Sequence, residues 1–354
     1  MNHRITKILL APFTLLFGIG VSLRKLAYRA GLLKSTRFDF PIISVGNLNV
    51  GGTGKSPHVS YLAKFLSPYI NVGMLSRGYK RKTKGFRYVN LNNSVEEVGD
   101  EPLQFKLRHP DTLVAVNESR IQGIFKMLGD YPDLQTILMD DAYQHLSITP
   151  NLNILLTEYN RPYTDDFLLP SGRLREGKSG AARADIIIVT KCPDELNQGD
   201  KLAWENRLQP LPNQRLYFSK FQYGKPYYLF NPSYAYSLSD QLEVLVFCAI
   251  ANTDYLENYL QKTVRKAKIL QFPDHHFFTN SELGNLKAQF DLLKSAQKII
   301  LTTEKDAMRL RLHQDFIIES QLPIFVLPIE VDFLFDEAEK FQDDVKQFLL
   351  NFKV

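Results

Sequence analysis

Residues 41–56 constrain the fold of this chain more than any other stretch. The apolar run 41–45 reads as a short strand, Gly51-Gly52-Thr53-Gly54 as a tight turn, and Lys55-Ser56 as the start of an amphipathic helix through Tyr61, Leu62 and Phe65. Strand, glycine turn and helix in that order form a βα unit, the context in which a phosphate-binding loop works. The cradle is expected to comprise Asn49, Val50, Gly51, Gly52, Thr53, Gly54, Lys55 and Ser56. Its glycines let backbone N–H groups converge on phosphate oxygens, and the helix aims its positive end at the same anion. In this reading Lys55 reaches the terminal phosphates of ATP or GTP, and the Ser56 hydroxyl serves Mg²⁺. The first glycine of the G-x-x-x-x-G-K-S/T pattern falls on Asn49, whose tolerance of positive φ keeps the turn feasible. The competing reading is a glycine-rich turn that binds nothing.

At 354 residues the chain is long enough for two domains, and 44% hydrophobic with 23% charged residues excludes a disordered protein. A net charge of +5 does not argue for a nucleic-acid partner. Cys192 and Cys248 lie far apart in apolar segments, which points to neither a disulfide framework nor a zinc site. Positive charge is concentrated at the start: no acidic residue precedes Asp39, whereas Arg4, Lys7, Arg24, Lys25, Arg29, Lys34 and Arg37 are basic. The apolar run 8–23 between them is shorter than the about 20 residues of a straight span. No small-x-small cleavage site follows it. Residues 1–34 are therefore expected to form an interfacial or partly inserted anchor with a basic rim for anionic headgroups. The alternative is an apolar helix folded onto the soluble part of the chain.

Apolar runs with helical patterns between them predict a mainly parallel α/β sheet. They fall at 41–45, 72–75, 112–116, 136–139, 154–157 and 186–190, then at 215–221, 244–249, 269–272, 299–302 and 324–328. Several lack alternation, as strands covered on both faces do. The segment 221–228 reads as a linker or an antiparallel crossover, dividing a glycine-loop unit 35–221 from a smaller α/β unit 222–354 that ends in an amphipathic helix over 337–352.

Several clusters carry candidate chemistry. Asp140-Asp141 ends a buried apolar run and, together with the glycine loop, suits a Mg²⁺ site, with His145 one helical turn on; the alternative is an N-cap with an i,i+4 Asp–His contact. Asp100-Glu101-Pro102 is either a helix cap or a pair of reactive carboxylates. Asp274-His275-His276 follows a strand at the end where open α/β sheets bind ligands. Arg77, Arg120, Arg173 and Arg175 are guanidiniums suited to phosphate. The stretch Thr303-Glu304-Lys305-Asp306 has both capping and binding readings.

Taken together, these motifs resemble the lipid A 4′-kinase (tetraacyldisaccharide 4′-kinase) family. The resemblance rests on residues 44–57, 75–79, 99–102, 140–145, 170–176, 274–275 and 303–306, in order along the chain. Asn49 belongs to that family's pattern. Ser56 stands for the commoner Thr, Tyr143 for the commoner Phe, and the turn at 249–252 lacks the family's glycines. The resemblance implies a P-loop NTPase-type domain plus a second, smaller α/β domain, with an N-terminal membrane-associating helix on the cytoplasmic face of the inner membrane. It implies ATP and Mg²⁺ as cofactors and a tetraacyldisaccharide 1-phosphate as acceptor, with no obligate protein partner. Carried over residue by residue, Asp100 is the general base paired with His275, and Lys55 steadies the phosphates. Ser56, Asp140, Asp141 and Glu176 serve the metal, and Arg120 and Arg173 stabilise the transferred charge. Two other classes compete. A nucleotide switch lacks its signature, since Val50 stands where partition-type ATPases carry Lys and Thr190-Lys191-Cys192 is no guanine motif. A non-enzymatic scaffold leaves Asp100 and His275 without work.

Overall fold

Two sheets organise the computed structural model, which describes residues 3–250 and 252–352. Met1, Asn2, Ala251, Lys353 and Val354 lie outside the described residues, and with them parts of the expected anchor, of the 249–252 turn and of the C-terminal unit. The strands are β1 (Ile42–Asn47), β2 (Val72–Ser76), β3 (Arg87–Tyr88), β4 (Leu113–Val116), β5 (Thr136–Asp140), β6 (Leu152–Glu158), β7 (Ile186–Thr190) and β8 (Arg215–Tyr223). Then follow β9 (Tyr227–Tyr228), β10 (Asn231–Ala235), β11 (Glu243–Cys248), β12 (Lys266–Gln271), β13 (Lys298–Thr303), β14 (Ile324–Leu327) and β15 (Ile329–Phe333). The helices are α1 (His3–Arg29), α2 (Lys55–Leu66), α3 (Val95–Val98), α4 (Asp100–Arg108), α5 (Arg120–Asp130) and α6 (Gln198–Leu208). The remainder are α7 (Asp254–Thr263), α8 (Asn280–Asp291), α9 (Glu304–Leu310), α10 (Gln314–Glu319) and α11 (Ala338–Leu350).

The first sheet runs β15-β8-β7-β6-β1-β5-β2-β4-β3, parallel from β8 to β4 and antiparallel at both edges. Its inner strands β1, β2, β5 and β7 are buried at every residue, because helices cover both faces. Val59 and Leu62 of α2 pack with Val45 and Leu138, while Ile124 and Met127 of α5 share a second core with Leu75 and Ile137. Strand β1 lies between β5 and β6, so the loop leaving its carboxyl end opens where the winding of the sheet reverses. That is where open α/β sheets hold ligands.

The second sheet runs β10-β9-β14-β13-β11-β12, parallel from β14 to β12. The chain then returns: β15 pairs antiparallel with β8, from Ile329 opposite Tyr223 to Phe333 opposite Ser219. Phe341 and Val345 of α11 pack in the core shared with α2. This corrects the expected unit 222–354, whose last segment belongs to the first sheet. The backbone of β15 pairs with the edge of β8, a pairing that local pattern does not encode.

Helix α1 is 27 residues long, about 40 Å at 1.5 Å per residue. Leu9, Phe13, Leu15, Leu16, Leu23 and Leu26 are each 60% exposed or more. Over Leu9–Arg29 the helix is long and apolar enough to cross a membrane. It is longer than the run 8–23 suggested, since Pro12 sits inside it without ending it. Its contacts with the rest of the chain include Thr14 Oγ1 donating to Ser171 Oγ at 2.6 Å, Gly18 against Leu168, and Lys25 paired with Glu176 at 2.5 Å.

Candidate active site

The loop from β1 to α2 is clamped from outside by residues 166–175. Asn49 bridges Leu174, the Val50 N–H donates to the Arg173 carbonyl at 2.7 Å, and Arg175 N–H donates to the Leu48 carbonyl at 2.7 Å. Asn49 does not use a positive φ; its amide donates to Asp166 at 2.9 Å, while Gly51 and Gly54 take φ of 111° and 89°. A Cβ on Gly54 would lie 2.6 Å from the Phe221 ring, and one on Gly51 would meet the Arg173 guanidinium. Gly52 has no neighbour near its Cβ position and faces open space. Arg173 itself donates to the Val50 carbonyl at 2.9 Å and so braces the loop.

Lys55 begins α2, with its ammonium 3.5 Å from Asn47 Oδ1 and 3.7 Å from Asp141. Asp141 takes two hydrogen bonds from Arg175, at 2.8 and 3.1 Å. Partial burial pushes the Asp141 carboxyl up, but Lys55 and Arg175 outweigh it and bring it down to about 2. Its neighbour Asp140, 1% exposed, behaves oppositely. Burial, reinforced by the Glu101 charge, lifts it to about 7, and its Oδ1 has no partner in the protein. Arg120 is 2% exposed and donates to the Asn117 carbonyl at 2.7 Å, with Nε unpaired. Burial brings it down to about 10, opposed by Asp140 and Asp141, so it remains a cation at neutral pH.

Two expectations here differ from the structure. Residues 141–147 form turns rather than helix, so His145 does not stack one helical turn from Asp141. Glu176, expected near the metal, is 2% exposed and its oxygens are held by cations. Arg183 donates to both at 2.7 and 3.0 Å, Lys25 of α1 reaches one, and Gln144 reaches the other. Gln144 also donates to the Asn47 carbonyl at 2.8 Å, so Glu176 joins α1 to the base of the nucleotide loop.

A second cluster begins where Gly99 takes φ of 93° and starts α4 at Asp100, which is 6% exposed. Asp100 Oδ2 receives His275 Nδ1 at 2.9 Å and Arg309 Nη1 at 2.7 Å, while Oδ1 accepts the Glu101 N–H at 3.0 Å. His275 sits in the loop after β12 at φ 61°, and Lys305 of α9 lies 3.0 Å from its Nε2. Burial pushes Asp100 up, but the His275 hydrogen bond and the charges of Lys305 and Arg309 hold it below the usual carboxylate range. Thus α4 of the first unit and α9 of the second meet at one carboxylate. Residues 303–306 prove to be both a cap and part of this site: Thr303 caps α9, and Lys305 points at His275. Arg309 escaped sequence reading, although its place one turn after Lys305 was a usable signal.

A profile of the family described as Tetraacyldisaccharide-1-P 4'-kinase (LpxK) matches residues 6–350. The chain belongs to this 4′-kinase family. Among curated relatives, the tetraacyldisaccharide 4'-kinase of Bacteroides fragilis (strain YCH46) is 42% identical over 344 residues, spanning 95% of this chain and 91% of that one. That of Porphyromonas gingivalis (strain W83) is 41% identical over 345 residues, spanning 94% and 95%. A solved LpxK from Aquifex aeolicus, in complex with ATP, superposes with a TM-score of 0.73 at 28% identity, covering 97% of this chain and 99% of that chain. The 4′-kinase family therefore accounts for both sheets and the N-terminal helix together.

Proposed function

We propose that this 4′-kinase family member transfers the γ-phosphoryl group of ATP to the 4′-hydroxyl of a tetraacylated glucosamine disaccharide 1-phosphate. The observation that carries the reading is the buried Asp100 carboxylate, paired with His275 at 2.9 Å, while its neighbour Glu101 acts electrostatically on Asp140 beside the glycine loop. A sugar hydroxyl is a poor nucleophile and needs a positioned proton acceptor as the loose transition state forms. Asp100 is ionised at neutral pH, and its Oδ1 keeps a lone pair for that hydroxyl beyond the Glu101 amide. As the hydroxyl oxygen bonds to phosphorus, its proton passes to Asp100 and the bond to ADP breaks.

Lys55 supplies a cation to the terminal phosphates, and Arg120 and Arg175 add positive charge beside the aspartate pair. Arg173 supports the loop from outside rather than through free guanidinium groups. The unpaired Asp140 oxygen in a buried site fits a divalent cation, and Ser56 with Asp140 would hold it. There the ion would supply charge neutralisation at the phosphate oxygens. Asp141 is already engaged by Arg175 and Lys55, which favours Asp140 as the direct ligand.

The acyl chains of such an acceptor stay in the bilayer. The exposed apolar surface of α1 and its basic neighbours suit insertion into the cytoplasmic face of the inner membrane, with anionic headgroups on the basic rim. The deciding assay follows label from γ-labelled ATP into purified tetraacyldisaccharide 1-phosphate in mixed micelles with Mg²⁺. Wild type is expected to label the lipid, with Lys55→Ala and Asp100→Asn slower by about 100-fold or more. Free phosphate released without lipid labelling would overturn the acceptor assignment in favour of an ATPase.

A further inference from the structure

Helix α9 presents two cations, Lys305 and Arg309, one turn apart on one face. Both are spent on the Asp100–His275 pair. Arg309 is 1% exposed, and its two terminal nitrogens bridge two carboxylates: Nη1 donates to Asp100 Oδ2 and Nη2 to Asp306. Asp306 is itself immobilised. Its Oδ2 accepts the Thr303 hydroxyl at 2.7 Å and the Ala249 N–H at 3.0 Å, and it is fully buried. The guanidinium is thus aimed by a carboxylate that cannot turn.

We propose that Arg309, held by Asp306, is a positioning residue for phosphoryl transfer: it orients the Asp100 carboxylate so that Oδ1 faces the acceptor hydroxyl. The inference rests on Asp100 being the general base. With Oδ2 saturated by His275 and Arg309, rotation of the carboxylate would break two hydrogen bonds. The planar fork of Arg309 fixes direction, since Nη1 and Nη2 are each committed to a different carboxylate. Lys305 completes the arrangement: an ammonium can only donate, so His275 Nε2 accepts from it and Nδ1 carries the proton given to Asp100.

The charged and titratable groups facing Asp100 are Arg309, Asp306 and Lys305 from α9, and His275 and Asp274 from the loop after β12. Tyr79 and Lys80 face it from the loop after β2, and Glu101 from its own helix. Replacing Arg309 with a neutral side chain leaves Asp306 uncompensated beside Asp100 and frees the carboxylate to rotate. In Arg309→Met, kcat for the lipid acceptor is expected to fall about 10–100-fold with KM for ATP unchanged. The acid limb of kcat/KM should move up by about half to one pH unit. Arg309→Lys keeps the charge but cannot bridge both carboxylates with a planar fork, so it should recover only part of kcat.

Thermal unfolding and binding of a fluorescent ATP analogue show whether each variant is folded. Should Arg309→Met not fold, Arg309→Lys decides, and wild-type turnover in it would overturn the proposal. A folded Arg309→Met with unchanged kcat and an unmoved acid limb overturns it as well. In an Asp100→Asn background, removing Arg309 should cost no further residual activity, whereas a merely structural role predicts an additive loss. If Asp100→Asn alone keeps wild-type turnover, the general-base reading itself fails.

Discussion

Asp140 and Asp141 are adjacent in the chain and opposite in chemistry. Asp141 turns to the rim at φ 48° and meets Arg175 and Lys55, whereas Asp140 stays in the strand with an unpaired oxygen. Asp140→Asn is expected to raise the Mg²⁺ concentration needed for half-maximal turnover by at least about 10–100-fold, read from a Mg²⁺ titration of lipid labelling. Asp141→Asn should shift that titration less, because its loss frees Arg175 rather than a metal ligand. An equal shift in both variants would show that the pair acts jointly. At this scale the sequence was partly legible. The acids, Lys55 and Ser56 stand out because strand, turn and helix chemistry is local. The use of Asn49 was misjudged: its work is a side-chain bond to Asp166, far along the chain.

Helix α2 depends on a histidine that no motif flagged. His58 is 2% exposed, with Nδ1 2.7 Å from the Gly54 carbonyl and Nε2 3.0 Å from Ser219 Oγ. It ties the first turn of α2 to β8. Burial brings it down to about 4 from an ordinary 6.5, partly opposed by the Gly54 carbonyl. Because the folded value is the lower one, the unfolded chain binds more protons between these limits. Stability therefore rises with pH across about 4 to 6.5 and is lost on acidification through it, by up to about 3 kcal/mol for this group. Asp140, raised to about 7, has the opposite slope over much of that range, so the contribution is read as a difference between proteins. His58→Gln should show a flatter melting temperature against pH than wild type between pH 6.5 and 4. Parallel curves would refute the account. Helices and inner strands were legible as elements because their apolar periods are local, but the partner of His58 was not.

Over the whole molecule, the nucleotide loop, the second sheet and α1 converge through long-range contacts. Arg108 of α4 donates to the Ile329 carbonyl at 2.8 Å and pairs with Glu304 of α9 at 3.3 Å, joining the two sheets. Helix α1, by contrast, leaves most of its described apolar side chains from Leu9 onward exposed and meets the body near Ser171, Leu168 and Glu176. A variant lacking residues 1–29 should keep nucleotide binding within about twofold. It should also fail to sediment with anionic vesicles and lose about tenfold or more in kcat/KM for the lipid acceptor. Unchanged sedimentation would place the membrane contact elsewhere. The sequence by itself determined the α/β class, the glycine loop, the ordered family motifs and the basic, apolar N-terminus, because each is written in neighbouring residues. Only the tertiary structure decided that β15 returns to the first sheet, that Glu176 anchors α1, and that Arg309 reaches Asp100. Those pairings join residues far apart in the chain, and burial selects them only once both sheets are in place.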